Sequence, residues 1–144
     1  MALILIVDDE PSVRRLLARW LQSAGHEILE ADSSDAALQV MEATPAAVVF
    51  SDIQMPGRDG RWLTAEVRKR YPSTAVILAT SVSTIAPQIS MQVGVLAYLV
   101  KPFNQQDVAG ALESALAWHA ENKGAARRDA GAAAHLDDWL ASLE

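Results

Sequence analysis

The sequence predicts an α/β fold: a doubly wound, five-stranded parallel sheet with five helices. Three runs, Ala2–Val7 (ALILIV), Val48–Phe50 (VVF) and Ala75–Ala79 (AVILA), are continuously apolar rather than alternating, the pattern of strands buried on both faces. Between the runs, apolar residues recur at helical spacing, so strands and helices alternate and right-handed crossovers must join parallel neighbours. Each strand also closes on polar residues, which places those residues along one edge of the sheet.

In chain order, the first strand ends at Asp8-Asp9-Glu10, and Pro11 suits the first position of a helix. Val13, Leu16, Leu17, Trp20 and Leu21 continue that helix until Gly25 stops it. His26–Ala31 is a second, less apolar strand that belongs at an edge. Ser33 or Ser34 caps a helix running to about Ala43, and Pro45 starts the third strand. That strand is cut off after Ser51 and Asp52 by Pro56-Gly57, so Asp52 sits at its exit. Leu63 and Val67 define a helix ending near Tyr71-Pro72, because the residue before proline is pushed out of helical geometry. The fourth strand ends at Thr80 and Ser81. Pro87 opens a short helix before Gly94, and Leu96–Val100 is the fifth strand, ending at Lys101-Pro102. Asn104 and Asp107 have the spacing of a capping box for a final helix carried by Val108, Leu112 and Leu116 toward Glu121.

At 144 residues the chain holds one domain and an appendage. A net charge of -6, with no basic block longer than Arg127-Arg128, argues against direct nucleic-acid binding. The absence of cysteine excludes disulfides, thiol catalysis and cysteine-based zinc sites. No stretch approaches membrane-span length, and Ala2–Val7 lacks the basic lead of a signal peptide, so a soluble cytoplasmic protein with no membrane partner is expected.

With the weak second strand outermost, the first and third become central neighbours, and Asp8, Asp9 and Asp52 come within reach of one point. Clustered carboxylates repel unless a cation intervenes. Their oxygen-only donors, with a main-chain carbonyl from the loop after Asp52, suit magnesium better than zinc. Lys101 and Thr80, on the same edge, could neutralise and hydrogen-bond an incoming phosphoryl group. This is equipment for phosphoryl transfer with one aspartate as covalent acceptor.

The DDEP run, the DIQMPGRDG segment, the threonine closing the fourth strand and the AYLVKPF segment together resemble the receiver domain of bacterial two-component response regulators, in the family's order across about residues 3 to 121. The resemblance implies a flavodoxin-like sheet of order 2-1-3-4-5 and a phosphoacceptor switch rather than an enzyme. Asp52 would take a phosphoryl group from a sensor histidine kinase or phosphotransfer protein. Asp9, Asp52 and the Gln54 carbonyl would hold Mg2+ directly and Asp8 through water. Thr80 and Lys101 would bind phosphoryl oxygens, and Lys101-Pro102 would be cis. Tyr98 would turn inward as Thr80 moves, biasing the surface of the fourth helix, fifth strand and fifth helix toward a downstream effector, a missing output domain or a phosphorylation-dependent homodimer.

Departures from the family pattern are also visible. The interval from Thr80 to Lys101 is about one residue short, Pro87 shortens the fourth helix, Ser81 replaces a common alanine, and Val95 replaces a smaller residue. The positions that tune dephosphorylation carry Gln54 and Val82.

Two alternatives stand beside this reading. One is a magnesium-dependent phosphohydrolase with an aspartyl nucleophile, disfavoured because Gln54 stands where such enzymes carry a general acid. The other is a pseudo-receiver serving only as an interaction module. Outside the site, Asp59 is read as a turn former and Glu10 as an exposed charge. His26, His119 and His135 are read as surface residues, and Trp62 as packing or a partner anchor. Residues 1–121 would form the receiver and 122–144 a linker with a short amphipathic segment, in which Leu136, Trp139, Leu140 and Leu143 share one helical face.

Overall fold

The computed structural model describes residues 2–81 and 94–123. Their elements run β1 (Leu3–Val7), α1 (Pro11–Ser23), β2 (Glu27–Ala31), α2 (Ser34–Ala43), β3 (Val48–Asp52), α3 (Gly60–Arg70), β4 (Ala75–Thr80), β5 (Val95–Val100) and α4 (Gln105–Asn122). Here α4 is the last helix expected from the sequence. The short helix expected at Pro87, the tuning position Val82, His135 and the apolar stripe of the tail lie outside the described residues.

The five strands are parallel in the order β2-β1-β3-β4-β5, so the weak second strand does lie at an edge. Alternate strand residues face opposite sides of a sheet. Here Ile4, Ile6, Phe50 and Ile77 pack beneath α1 and α4, with Leu17, Leu21, Val108 and Leu112. Leu5, Val7, Val49 and Leu78 pack on the other side against Met41 of α2 and Leu63 and Val67 of α3. Burial on both faces is why β1, β3 and β4 are continuously apolar, whereas β2 keeps exposed glutamates at Glu27 and Glu30.

Several boundaries differ from expectation. Pro45 does not begin the third strand: Thr44 closes α2, and strand pairing starts only at Val48, after Pro45-Ala46 have turned the chain into the sheet. Asp59 is not a simple turn former. Its carboxylate accepts from the Arg61 and Trp62 amides and caps α3, because two orphan amides at a helix start bind an acceptor better than water does. Tyr98 lies inside β5, opposite Leu78, as the expected strand Leu96–Val100 places it. Ser33 is the cap of α2, and Asn104 and Asp107 form the expected capping box on α4. Two surface histidines are in fact half-buried: His26 accepts from the Ala2 amide, and the His119 ring bonds the Ser73 carbonyl at 2.7 Å.

Candidate functional site

Parallel pairing carries the carboxyl ends of β1, β3, β4 and β5 to one edge. Asp8 follows β1 directly, and its amide still bonds Ala31 of the neighbouring strand. Asp52 and Thr80 are the last residues of β3 and β4, and the Lys101 amide bonds the Thr80 carbonyl at 2.7 Å, which holds Lys101 just past β5. The Lys101-Pro102 peptide is cis.

One oxygen from each of Asp8, Asp9 and Asp52 falls within 4.8 Å of the others. Asp8 and Asp52 are buried and Asp9 is exposed, so the cluster has a closed floor and one open side. The Lys101 ammonium reaches Asp8 Oδ2 at 3.0 Å and Asp52 Oδ2 at 3.4 Å. Asp8 Oδ1 accepts from the Glu10 amide at 2.9 Å, and Asp52 Oδ1 from the Gln54 amide at 3.3 Å. Burial pushes the Asp52 carboxyl above the usual carboxylate range; Lys101 opposes this and Asp8 adds to it. For Lys101, burial pulls the ammonium down, yet its hydrogen bond to Asp8 and the charges of Asp52, Asp8 and Glu10 leave it raised. A single lysine therefore holds the pocket together without fully neutralising Asp52.

The loop after Asp52 is pinned rather than free. Ile53 and Met55 are buried, and the Ile53 amide bonds the Ala79 carbonyl. Gly60 donates to the Ile53 carbonyl, and a Cβ at Gly60 would run into the backbone of Asp52 and Ile53. Only glycine lets the start of α3 lie this close behind the site. Gln54 stays exposed, with its side-chain oxygen 3.3 Å from the Ser81 hydroxyl. Thr80 is fully buried. The pairings Thr80↔Val100 and Leu78↔Tyr98 put Thr80 and Tyr98 on the same face of the sheet.

Sequence reasoning missed Gly60 and Arg14. The Arg14 guanidinium donates to the Asp8 carbonyl at 2.6 Å and pairs with Glu30 at 3.4 Å, bracing the β1 exit from behind. Arg14 sits on the first turn of α1, three residues after Pro11, a position from which a long side chain can reach back to the strand it follows. Trp62 is packed beneath the Arg58 guanidinium at 4.3 Å and against the α2–α3 core.

The family model for the response regulator receiver domain matches residues 4–113. The chain belongs to that family. Its receiver is 38% identical over 120 residues to the response regulator protein FleR of Pseudomonas aeruginosa, covering 83% of this chain and 24% of that protein. It is 39% identical over 115 residues to the positive alginate biosynthesis regulatory protein of the same organism, covering 78% of this chain and 46% of that one. The chain thus spans less than half the length of these curated relatives. Among solved structures, the response regulator TrrA of Thermotoga maritima, described as a complex with Mg(2+)-BeF, superposes with a TM-score of 0.70 at 32% identity, over 81% of this chain and 100% of that one. The chemotaxis response regulator CheY4 of Vibrio cholerae superposes with a TM-score of 0.73 at 32% identity, over 81% and 99%. The receiver fold, sheet order 2-1-3-4-5 and two-component family are thereby established. Among the described residues no helix is long and apolar enough to cross a membrane.

The donor set fits a magnesium ion on chemical grounds. All donors are hard oxygens, and ligands at opposite corners of a magnesium octahedron lie ~4.2 Å apart, close to the observed spread of at most 4.8 Å.

Proposed function

We propose that this receiver is a phosphorylation switch in which Asp52 accepts a phosphoryl group from a sensor histidine kinase or phosphotransfer protein. The observation that carries the reading is the convergence of Asp8, Asp9 and Asp52 on one point, with the Lys101 ammonium spanning Asp8 and Asp52. Asp9, Asp52 and the Gln54 carbonyl would hold Mg2+, with Asp8 acting through water; the ion supplies charge neutralisation for the phosphoryl oxygens. An Asp52 carboxylate oxygen displaces the donor's leaving group. The new O–P bond forms as the donor N–P bond breaks, and the departing imidazole nitrogen needs no acid from Gln54, which carries none.

Lys101 then exchanges part of its contact with Asp52 for a phosphoryl oxygen, and the Thr80 hydroxyl donates to another. Thr80 and Tyr98 share a face, so movement of Thr80 toward the phosphoryl group frees space for Tyr98 to turn inward. The surface built from β5 and α4 then changes population and presents itself to a downstream effector, an output domain or a second copy. In this reading residues 1–121 form the switch and 122–144 a linker with an amphipathic segment. The chain works in the cytoplasm as a signalling component, without turnover of its own.

Incubating the protein with Mg2+ and acetyl phosphate tests this. A single phosphoryl adduct by intact mass, dependent on the metal and lost in Asp52→Ala, is expected. An adduct that persists in that variant, or release of many phosphates per chain from a phosphomonoester, would overturn it.

A further inference from the structure

We propose that the acidic, apolar-striped segment 134–144 of this same chain docks in a recess at the amino ends of the strands, the pole opposite Asp52. The recess has a volume of about 490 Å³ and is framed by the entries to β1, β3 and β4 and the last turns of α3 and α4. That volume falls in the range of ~300–1,000 Å³ typical of ligand sites. It exists because Ala2, Ala46 and Ala47 carry nothing beyond Cβ where the strands begin, leaving an apolar floor completed by Leu3 and Pro72.

Arg70 and Lys123 give the walls positive charge, His119 adds a polar ring, and no acidic residue is among the described lining. The Arg70 side chain, 52% exposed, is engaged by Glu66 at 3.1 Å through Nε, which leaves other guanidinium N–H groups to donate. The His119 ring is fixed on the wall by its bond to the Ser73 carbonyl.

The proposed occupant complements both features. Leu136, Trp139, Leu140 and Leu143 supply a face for the floor, and Asp137, Asp138 and Glu144 supply carboxylates for the walls. Position favours it as well: Lys123, on the rim, is the residue from which the remaining chain departs. The thirteen residue-to-residue steps from Lys123 to Leu136 can span up to ~45 Å, far more than the recess requires. Attachment in the same chain raises the effective concentration to the order of millimolar, so a contact too weak to hold a free peptide is still populated. The groove between α1 and α4 is a poorer host. It measures about 220 Å³, its lining includes Glu113, and the segment's carboxylates would face that like charge.

The test compares amide chemical shifts of the full chain with those of a chain ending at Ala133, both of which retain the whole family match. Shift differences concentrated at Leu3, Ala47, Ser73, Thr74 and His119, and unchanged on dilution, are expected. Full-length Arg70→Glu should move those signals toward their positions in the shortened chain. Differences centred on Ala109 and Leu112, differences that vanish on dilution because a second copy is the occupant, or no differences at all would each overturn the proposal.

Discussion

Replacing Asp52 by asparagine should stabilise the metal-free protein while abolishing its chemistry. The Lys101 ammonium at 3.4 Å attracts the Asp52 carboxylate by ~5 kcal/mol at an effective dielectric constant near 20, and Asp8, within 4.8 Å, repels it by ~3.5 kcal/mol or more. These two terms differ by only about 1.5 kcal/mol, whereas burying an ionised carboxylate costs several kcal/mol after relaxation. That balance agrees with the direction in which burial moves the Asp52 carboxyl. The amide of Asp52→Asn avoids the desolvation and keeps an oxygen for the Gln54 amide. A gain of about 1–2 kcal/mol follows, seen as a melting temperature several degrees higher, since each kcal/mol moves a domain of this size by ~2–4 °C. Urea unfolding in the presence of a chelator measures it directly. Adding Mg2+ should then raise the wild type more than the variant, because only the wild type keeps all three carboxylates; saturation at a hundred times the dissociation constant is worth ~2.7 kcal/mol. A variant that is 1 kcal/mol or more less stable than wild type without divalent ions would refute the claim that Asp52 is held at an energetic cost.

Three other perturbations probe the scaffold. Gly60→Ala forces a methyl group into the backbone at Asp52 and Ile53, so a loss of ~2–3 kcal/mol in urea unfolding and slower phosphoryl uptake are expected together; an unchanged uptake rate would show that α3 does not position the acceptor. Arg68, only 2% exposed, donates to the Thr74 and Pro72 carbonyls and lies 5.0 Å from the Trp118 ring, while burial lowers its pKa to about 10, a cost of ~3 kcal/mol for the charged form. Arg68→Ala regains that cost but leaves two carbonyls unpaired and a cavity behind, for a net loss of about 3 kcal/mol; a loss below ~1 kcal/mol would show the buried cation to be dispensable. Burial, with the N-terminal charge, lowers the His26 pKa, so the unfolded chain binds its proton more readily; stability should fall as pH drops from about 6.5 toward the folded value, and His26→Gln should flatten that slope.

The sheet and the acidic cluster at its carboxyl edge are legible in the sequence because each depends on a pattern that the chain repeats. A strand buried on both faces must be apolar throughout, as Ile4–Val7 and Ala75–Ala79 are, and the first polar residue after it must lie at the carboxyl edge. That rule alone puts Asp8, Asp52 and Lys101 at one edge of the sheet. Pairwise contacts were not legible. Arg68 stands in the Arg68-Lys69-Arg70 run, which resembles a solvated helix end, yet it follows Thr64 by one turn on the face that also buries Leu63 and Val67. That periodicity was an available signal. Gly60 gave a weaker one: a glycine after an aspartate fits a turn as well as a helix start, and only the close approach of Asp52 decides between them. Asp59 is ambiguous for the same reason, since turn formers and helix caps are the same residue types.

In the proposed function the acyl phosphate forms on Asp52 and nowhere else. Borohydride reduces an acyl phosphate to an alcohol and leaves free carboxylates intact, so treating the phosphorylated protein and sequencing its fragments by mass reads out the modified residue. Reduction confined to Asp52 is the predicted result. Reduction at Asp8 or Asp9, or at any other carboxylate with Asp52 untouched, would contradict it.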